Sequence, residues 1–304
     1  MEKIKFTVAI PALNEEGNIR RLLESILDQE FVDCFLVEIV VVSDGSDDKT
    51  AEIVRSYFDD RVRIVDYSSR KGKSSRLNDI FHKIIDWNKS DVAILFDADI
   101  LLDNKTVVSR MLKPFFQGDT KLVAGNPRQI KPKLFFEKVL QVSAFLQDSV
   151  KKKYPNSVYT CHGRILAIHK NLAQKVIVPE EMVGNDAYIY FSNKKNKYDY
   201  KYAKDAIVLF RMPGNFNDFK KQFLRFKQSK KMLIGAFGEK ITREYVIDKF
   251  FYRKSVLKSI SKFPFLGLIY YLSYLYLLIG TKIRVFKRVS SNGKWDVSVS
   301  TKEL

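Results

Sequence analysis

Short apolar runs alternate with amphipathic stretches through the first third of the chain. Four runs rich in β-branched residues predict buried strands, and they cover residues 5–10, 36–42, 62–65 and 91–96. Pro11 is predicted to end the first strand, and the next stretch has apolar residues at helical spacing from Ile19 to Leu27. Because strands that are apolar throughout and alternate with helices form parallel sheets covered on both faces, the pattern predicts an α/β fold.

Polar clusters follow each of these four strands. Right-handed crossovers place all the strand-to-helix turns at one edge of a parallel sheet, and such sheets bind ligands at that edge. The clusters are Asn14–Glu15, Asp44–Asp47, Lys71–Lys73 and Asp97–Asp99. Their convergence predicts a nucleotide-type site at the carboxyl ends of the strands.

Two carboxylates one residue apart, Asp97 and Asp99, end the fourth strand. In extended backbone, residues i and i+2 point the same way, so both side chains face one point. Like charges held this close repel unless a cation lies between them, and Mg2+ or Mn2+ shares such ligands with substrate phosphates. An isolated pair of this kind is usually an acidic turn. The prediction of a Mn2+ or Mg2+ cofactor therefore depends on the three other polar clusters at the same edge of the sheet.

The chain is strongly basic, with a net charge of +18 over 304 residues, and much of the excess follows residue 190. This balance predicts a polyanionic partner such as a nucleotide diphosphate, an anionic lipid or a nucleic acid. Cys34 and Cys161 form neither a disulfide framework nor a zinc spacing, which favours a reducing, cytosol-facing location. The chain opens with a strand-like run, so no signal peptide is predicted.

Residues 263–280 carry no charge, are rich in Tyr and have basic flanks. About 20 apolar residues span a bilayer, so this segment is borderline, and its Tyr residues and basic flanks favour a membrane interface. A buried hairpin is the alternative. The predicted division is a main domain over 1–232, a helical membrane-associating region over 233–289 and a polar tail over 290–304.

Four stretches together resemble family 2 glycosyltransferases of the GT-A fold. They read VAIPALNEEGNI, VVSDGSDDKT, KGKSSRLN and FDADI, and the resemblance extends from residue 4 to about residue 230. It implies a Rossmann-like nucleotide-binding domain with a mainly parallel mixed sheet flanked by helices. The C-terminal helical segment would be added to this domain.

The resemblance also implies roles on the donor side of the site. Residues that would line the nucleoside pocket are Pro11, Leu13, Glu15 and Asp44. Lys73 would lie near the base or diphosphate, Asp97 near the donor ribose or sugar, and Asp99 on the metal.

The family places its catalytic base in a Glu-Asp pair, and Asp186 matches the Asp of that pair while Asn185 replaces the Glu. Asp186 taken alone would be an ordinary residue of a helix first turn. His162, in a Gly-containing segment, is the candidate on the acceptor side. It shares no zinc spacing with His82 or His169.

Gln222-Phe223-Leu224-Arg225-Phe226 resembles the Gln-x-x-Arg-Trp motif of polysaccharide synthases, with Phe226 in place of Trp. Spacing of i and i+3 puts Gln222 and Arg225 on one helical face. Arg225 would pair with the diphosphate, whereas Gln222 and Phe226 would face the acceptor. A basic amphipathic helix without such a role is the alternative.

These features together predict a metal-dependent, inverting transfer of a sugar from a nucleotide sugar, with UDP favoured by the resemblance. The acceptor would be a glycan or a lipid-linked molecule at the cytoplasmic face of a membrane, reached by a peripheral, re-entrant or single-span segment. Alternatives are a phosphotransferase, a sugar-nucleotide pyrophosphorylase, and a non-catalytic nucleic-acid-binding or membrane-adaptor protein. Nucleic acid is not expected as a partner, because phosphates avoid acidic strand ends.

Overall fold

The computed structural model of the chain describes residues 3–282 and 299–301. Over these residues, eight strands form one sheet in the order β3-β2-β1-β4-β7-β6-β8-β5. The strands are β1 Ile4–Ala12, β2 Cys34–Asp44, β3 Val62–Tyr67, β4 Val92–Phe96, β5 Ile100–Leu102, β6 Thr120–Gln129, β7 Ile165–His169 and β8 Asp199–Phe210.

Helices cover both faces of this sheet. They are α1 Ile19–Leu27, α2 Thr50–Arg55, α3 Lys73–Asp79, α4 Val107–Leu112, α5 Phe135–Lys153, α6 Lys170–Ala173, α7 Asn185–Lys195, α8 Phe216–Phe237, α9 Lys249–Lys262 and α10 Pro264–Lys282. α3 continues into a π-helical turn at Ile80–Ile84.

The first four long strands are parallel, as the sequence predicts, and β7 runs against its neighbours β4 and β6. Its first residue, Ile165, pairs with Phe96 at the end of β4. The loop that precedes β7 therefore lies at the same edge of the sheet as the carboxyl ends of β1 to β4. We call this edge the rim.

Alternating residues of β1 enter two different cores. Val8 and Ile10 pack on the side of α1 and α4, whereas Ala9 packs on the side of α3 and α7. All three are fully buried, so this strand is apolar on both faces because both faces are covered. A third, smaller core joins α5, α8 and α10 around Leu140 and Leu277.

Two local predictions differ from the structure. β1 does not stop at Pro11 but continues to Ala12. Proline is tolerated there because β1 pairs with β4 only as far as Ala9 and is bonded to β2 alone beyond it. β5, β8, α4 and α6 have no counterpart among the predicted elements, whereas α9 lies within the region over 233–289 that is predicted to be helical.

The predicted boundary at residue 232 falls inside α8, which continues without a break to Phe237. Most of the predicted polar tail over 290–304 lies outside the described residues. Within it, the Ser300 hydroxyl donates to the Asp218 carboxylate near the start of α8, and Gly214 N donates to Ser300 Oγ at 3.1 Å. The tail contacts the main domain at this point.

Candidate active site

Asp44, at the end of β2, organises the loop that follows β3. Its two carboxylate oxygens accept hydrogen bonds from the backbone N–H groups of Lys71 and Gly72, each at 2.8 Å. Gly45 has a φ of +75°, and a Cβ there would lie 2.8 Å from the backbone nitrogen of Arg70. The tight turn after Asp44 and the Lys71–Lys73 loop thus pack directly on each other.

Arg76 supplies the positive charge for this buried carboxylate. Its Nε donates to Asp44 Oδ1 at 2.6 Å, and its Nη1 donates to Asp79 at 3.1 Å. The guanidinium also lies 3.5 Å from the centroid of the Tyr67 ring. Only 1% of the Arg76 side chain is exposed, so its charge is balanced by these protein groups and not by water.

We expect Arg76→Met to destabilise the fold by about 3–5 kcal/mol, because it leaves the buried carboxylate of Asp44 without its cation, whereas Asp79 keeps its ion pair with Lys83. Arg55→Met is the matched control, since its ion pair with Asp66 is 58% exposed on the arginine side and should contribute less than about 1 kcal/mol. Urea unfolding of both variants measures the difference. Equal losses of stability would show that the Arg76 cluster does not hold the loop.

The predicted nucleoside residues lie in adjacent loops of the rim. Pro11 is the last residue but one of β1, and Leu13 and Glu15 follow in the loop before α1. The Glu15 N–H donates to Thr50 Oγ1 at 2.7 Å, which ties this loop to the start of α2. Asp44 lies at the neighbouring strand end, but its carboxylate is already bonded to the protein's own groups.

Lys73 and Asp97 form an ion pair across the rim. Lys73 begins α3 directly after Gly72, whose φ of +99° turns the chain into the helix. Both side chains are about one third exposed, at 34% for Lys73 and 28% for Asp97. The predicted diphosphate-side cation and the acidic strand end are therefore in contact and accessible.

Burial raises the pKa of Asp99, and the negative charge of Asp97 raises it further, while Arg164 and Lys73 oppose the shift. A cation beside Asp99 would relieve this unfavourable burial of charge. Over residues 3–282 and 299–301, no group of three or more His, Cys, Asp or Glu side chains is placed to hold a metal ion. Two carboxylates with substrate phosphates and water nevertheless fit Mg2+ or Mn2+, which is commonly bound in this way.

Arg164 is a site residue that the sequence did not single out. Its carbonyl accepts a hydrogen bond from Asp97 N at 3.1 Å, and its guanidinium lies 3.8 Å from the centroid of the Phe210 ring. It comes directly before β7, so only the reversed direction of that strand brings it to the rim. Its position adds a second positive charge beside Asp97 and Asp99.

Asp186 lies in the first turn of α7, and both of its carboxylate oxygens are oriented by backbone N–H groups. Gly163 donates to Oδ2 at 3.0 Å and Ala187 donates to Oδ1 at 2.8 Å. The side chain remains partly exposed. The residue before it, Asn185, is buried, and its Oδ1 lies 3.0 Å from the hydroxyl of Ser74. Asn185 thus joins α7 to the first turn of α3.

α8 crosses close to the start of α7. A Cβ on Gly184 would lie 1.9 Å from Ser229 Oγ, so only glycine permits this approach. Arg225 is about one turn earlier on α8. Burial and the charge of Arg164 lower the pKa of Arg225, and the carboxylates of Asp97, Asp186 and Asp99 oppose that shift. Arg225 therefore belongs to the same cluster of charges.

The three predicted acceptor-side residues have different surroundings. Burial lowers the pKa of His162 to about 3, with the charges of Lys151 and Arg164 adding to the effect, so the imidazole is neutral at pH 7. Within the described part of the chain its Nε2 is buried without a hydrogen-bond partner. Gln222 is partly buried, and Phe226 is 67% exposed on the surface of α8.

Known proteins with a similar fold include two glycosyltransferases. The mannosyltransferase PcManGT from Pyrobaculum calidifontis, in complex with GDP-Man and Mn2+, aligns with 94% of this chain and 81% of its own, with a TM-score of 0.58 and 16% identity. Glucosyl-3-phosphoglycerate synthase from Mycobacterium tuberculosis, in complex with Mg2+ and UDP, aligns over 81% of each chain, with a TM-score of 0.52 and 16% identity. At this level of identity the likeness establishes the GT-A fold.

Two sequence comparisons agree with the fold. The 4,4'-diaponeurosporenoate glycosyltransferase of Staphylococcus aureus is 34% identical over 134 residues, which are 43% of this chain. That match covers 33% of the relative, so the chain spans about a third of its length. The model of glycosyl transferase family 2 matches residues 7–177, more than half of the 304 residues. The chain belongs to glycosyl transferase family 2.

Proposed function

We propose that this protein transfers a sugar, with inversion, from a nucleotide-diphosphate sugar to an acceptor hydroxyl. The observation that carries the proposal is the cluster at the rim, where Lys73 pairs with Asp97 and the carboxylates of Asp97, Asp99 and Asp186 interact electrostatically with Arg225. The family assignment favours this chemistry over the phosphotransferase, pyrophosphorylase and non-catalytic alternatives. The fold neighbours are described with GDP-Man and with UDP, which supports a nucleotide diphosphate as the leaving group.

Asp186 is the proposed general base. It would take the proton from the acceptor hydroxyl as that oxygen attacks the anomeric carbon opposite the departing diphosphate. The N–H groups of Gly163 and Ala187 orient its oxygens, so the carboxylate is fixed before the acceptor arrives. The diphosphate gains negative charge as the bond breaks, and Lys73 and Arg225 are the proposed cations that would stabilise it.

Asp99, with Asp97 beside it, is the proposed holder of a divalent cation. The raised pKa of Asp99 supports this assignment, because a bound cation would compensate a carboxylate charge that is now buried and repelled. When bound, Mn2+ or Mg2+ would supply further positive charge at the diphosphate. Lys73 contacts Asp97, which supports a role for this lysine on the diphosphate side of the acidic pair.

Nucleotide release is the direct test of the proposed reaction. A panel of UDP- and GDP-sugars is incubated with the protein and Mn2+, and free nucleotide is measured with and without lipid extract as acceptor source. We expect one donor to be hydrolysed slowly alone and turned over faster with acceptor. Hydrolysis of no sugar nucleotide, together with salt-sensitive RNA binding, would favour the non-catalytic alternative.

We also propose that α9 and α10 lie on an anionic membrane surface. α10 is the one helix of the described residues that is long and apolar enough to cross a bilayer, which by itself is weak support for membrane contact. Its large apolar side chains that are about half exposed or more are Phe265, Leu268, Leu272, Leu275, Tyr276 and Ile279. Exposed basic residues on the neighbouring α9 are Lys249, Arg253, Lys254, Lys258 and Lys262. Apolar and basic side chains side by side fit an anionic lipid surface.

The packing of α10 favours a helix that lies flat over one that crosses the bilayer. Tyr270 and Leu277 are buried two turns apart against α5 and α8, so the helix is attached to the main domain along its length. A crossing orientation would require α5 and α8 to enter the bilayer with their charged residues.

Leu272→Asp is expected to weaken binding to phosphatidylglycerol–phosphatidylcholine vesicles by about tenfold or more, because burying a leucine side chain contributes about 1.5–3 kcal/mol. Leu272 is 57% exposed, so the variant should fold. Phe58→Asp is the matched control, since Phe58 is fully exposed in the connection between α2 and β3. Vesicle co-sedimentation measures both. Equal binding of the two variants would exclude α10 as the membrane contact.

A further inference from the structure

A cavity of about 260 Å³ lies beside the rim. It is bounded by the end of β6, the C-terminal part of α5 and the junction of α9 with α10. Phe210 forms part of its wall, and the guanidinium of Arg164 lies on the same ring. At its other side, Lys262 and Phe263 border the cavity where α10 begins. The cavity therefore lies between the Phe210–Arg164 contact near the rim and the start of α10 on the proposed membrane surface.

Lys151 is a buried charge in the wall of this cavity. Lys151 is only 6% exposed, and its Nζ donates a hydrogen bond to the carbonyl of Pro127 at 3.3 Å. No ion pair within 4.0 Å joins it to a carboxylate in the described residues. Burial lowers the pKa of Lys151 to about 8. A lysine kept charged in this position at pH 7 costs stability, and that cost needs a functional explanation.

The charges around the cavity favour an anion. Arg128, Lys151 and Lys262 carry positive charge, and Asp148 is the one carboxylate among the lining residues. Asp148 is exposed, so water and salt screen it more than they screen the buried amine of Lys151. An anionic group that enters the cavity would pair with Lys151. At the mouth of the cavity it would also contact the exposed cations Arg128 and Lys262.

The rest of the lining favours an apolar group next to that anion. The rings of Phe145, Phe210 and Phe263 line the cavity, together with Met212. The volume of about 260 Å³ is below the range of about 300–1,000 Å³ that encloses a whole drug-sized ligand. The cavity can thus hold a headgroup and the first part of an alkyl chain, with the remainder leaving toward α10.

We propose that this cavity is the acceptor subsite and that it binds the phosphate or carboxylate of an amphipathic acceptor, with Lys151 as the buried anion partner. The proposal rests on the glycosyltransferase function proposed above and names its substrate class. An acceptor of this kind would enter from the membrane surface along α10. Its anionic group would then be held by Lys151, in the cavity whose Phe210 ring contacts Arg164.

Octyl phosphate is the probe, and isothermal titration calorimetry without any sugar nucleotide measures its affinity for the full chain. We expect saturable binding that Lys151→Met weakens by about tenfold or more, as for the loss of a hydrogen bond between charged groups. Lys152→Met is the matched control, because it removes the same charge from the exposed neighbouring position of α5. Ala144→Trp, which fills the cavity without changing its charge, should also abolish binding.

Lys151→Met should in addition raise the melting temperature at pH 7. The pKa of Lys151 is lower in the folded protein than in the unfolded chain, so burying the protonated amine lowers the free energy of unfolding at pH 7. Methionine has no amine, and this loss of stability disappears in the variant. The expected pair of results is higher stability with weaker octyl phosphate binding. A purely structural lysine would give lower stability with binding unchanged.

Inorganic phosphate separates a free-phosphate site from an amphipathic one. We expect inorganic phosphate and octanol each to bind far more weakly than octyl phosphate. Equal affinity for inorganic phosphate, or equal octyl phosphate binding by the Lys151→Met and Lys152→Met variants, would overturn the proposal. Since no donor is present, these outcomes are independent of whether the nucleotide-release assay detects any transfer.

Discussion

Replacing Asp186 by Asn is expected to lower sugar transfer by about 10³-fold while leaving nucleotide affinity nearly unchanged. The amide has the shape of the carboxylate and can still accept from Gly163 N through its oxygen, although its NH2 group cannot accept the bond from Ala187 N. It cannot take a proton from the acceptor hydroxyl. Because the negative charge of Asp186 acts on Arg225, its removal is also expected to change nucleotide affinity slightly through that arginine. Steady-state transfer and equilibrium titration of the nucleotide measure the two effects separately.

Glu181→Gln is the control for this variant, since Glu181 is exposed and precedes α7 by a few residues. It removes one negative charge from the same region and should keep full activity. Normal turnover by the Asp186→Asn variant would show that another group is the base. A parallel loss in both variants would point to the overall charge of the segment instead.

The second large effect is expected from Asp99→Asn. This variant should lose the dependence of nucleotide binding on Mn2+, with affinity in the presence of Mn2+ falling by about 100-fold or more. The carboxylate of Asp99 is partly buried beside Asp97, and the uncharged amide removes the repulsion between them. The fold should therefore be at least as stable as that of the unmodified chain, and a thermal melt checks this.

Asp103→Asn serves as the control for Asp99→Asn, because Asp103 is exposed just after β5. It should leave the Mn2+ dependence intact. The unmodified chain is titrated with nucleotide in Mn2+ and in EDTA. Equal affinity under the two conditions would show that the proposed mechanism does not use a metal ion. Lys73 and Arg225 would then be the remaining candidates for stabilising the diphosphate.

Much of the fold is predictable from the sequence because its parallel strands are buried on both faces. Residues 36–42 form an apolar run interrupted only by Glu38, and the observed β2 extends that run by two residues at each end. β8 lacks this signal. Only its last five residues, 206–210, form a continuous apolar run, whereas Lys201, Lys204 and Asp205 interrupt the preceding residues, so no apolar pattern extends over the whole strand. Its strand conformation depends on pairing with β6 and β5.

Some residues of the candidate site could likewise be predicted from the sequence, and others could not. Asp97, Asp99 and Lys73 follow recognisable strands, and the structure brings them together at the rim. Arg164 could not be placed from sequence, because an apolar run such as residues 165–168 does not reveal whether its strand runs parallel or antiparallel. Lys151 is one of three consecutive lysines, and only the packing of α5 shows which of them is buried. The roles of all these residues remain predictions.

Anomalous diffraction at the manganese absorption edge, from crystals soaked with UDP and MnCl2, tests the central claim most directly. We expect one anomalous peak between the Asp99 carboxylate and the diphosphate, with the nucleoside against Pro11 to Glu15 and Lys73 turned toward a phosphate. UDP bound away from the rim, or a rim that stays closed by the ion pair of Lys73 with Asp97 while manganese is absent, would contradict it.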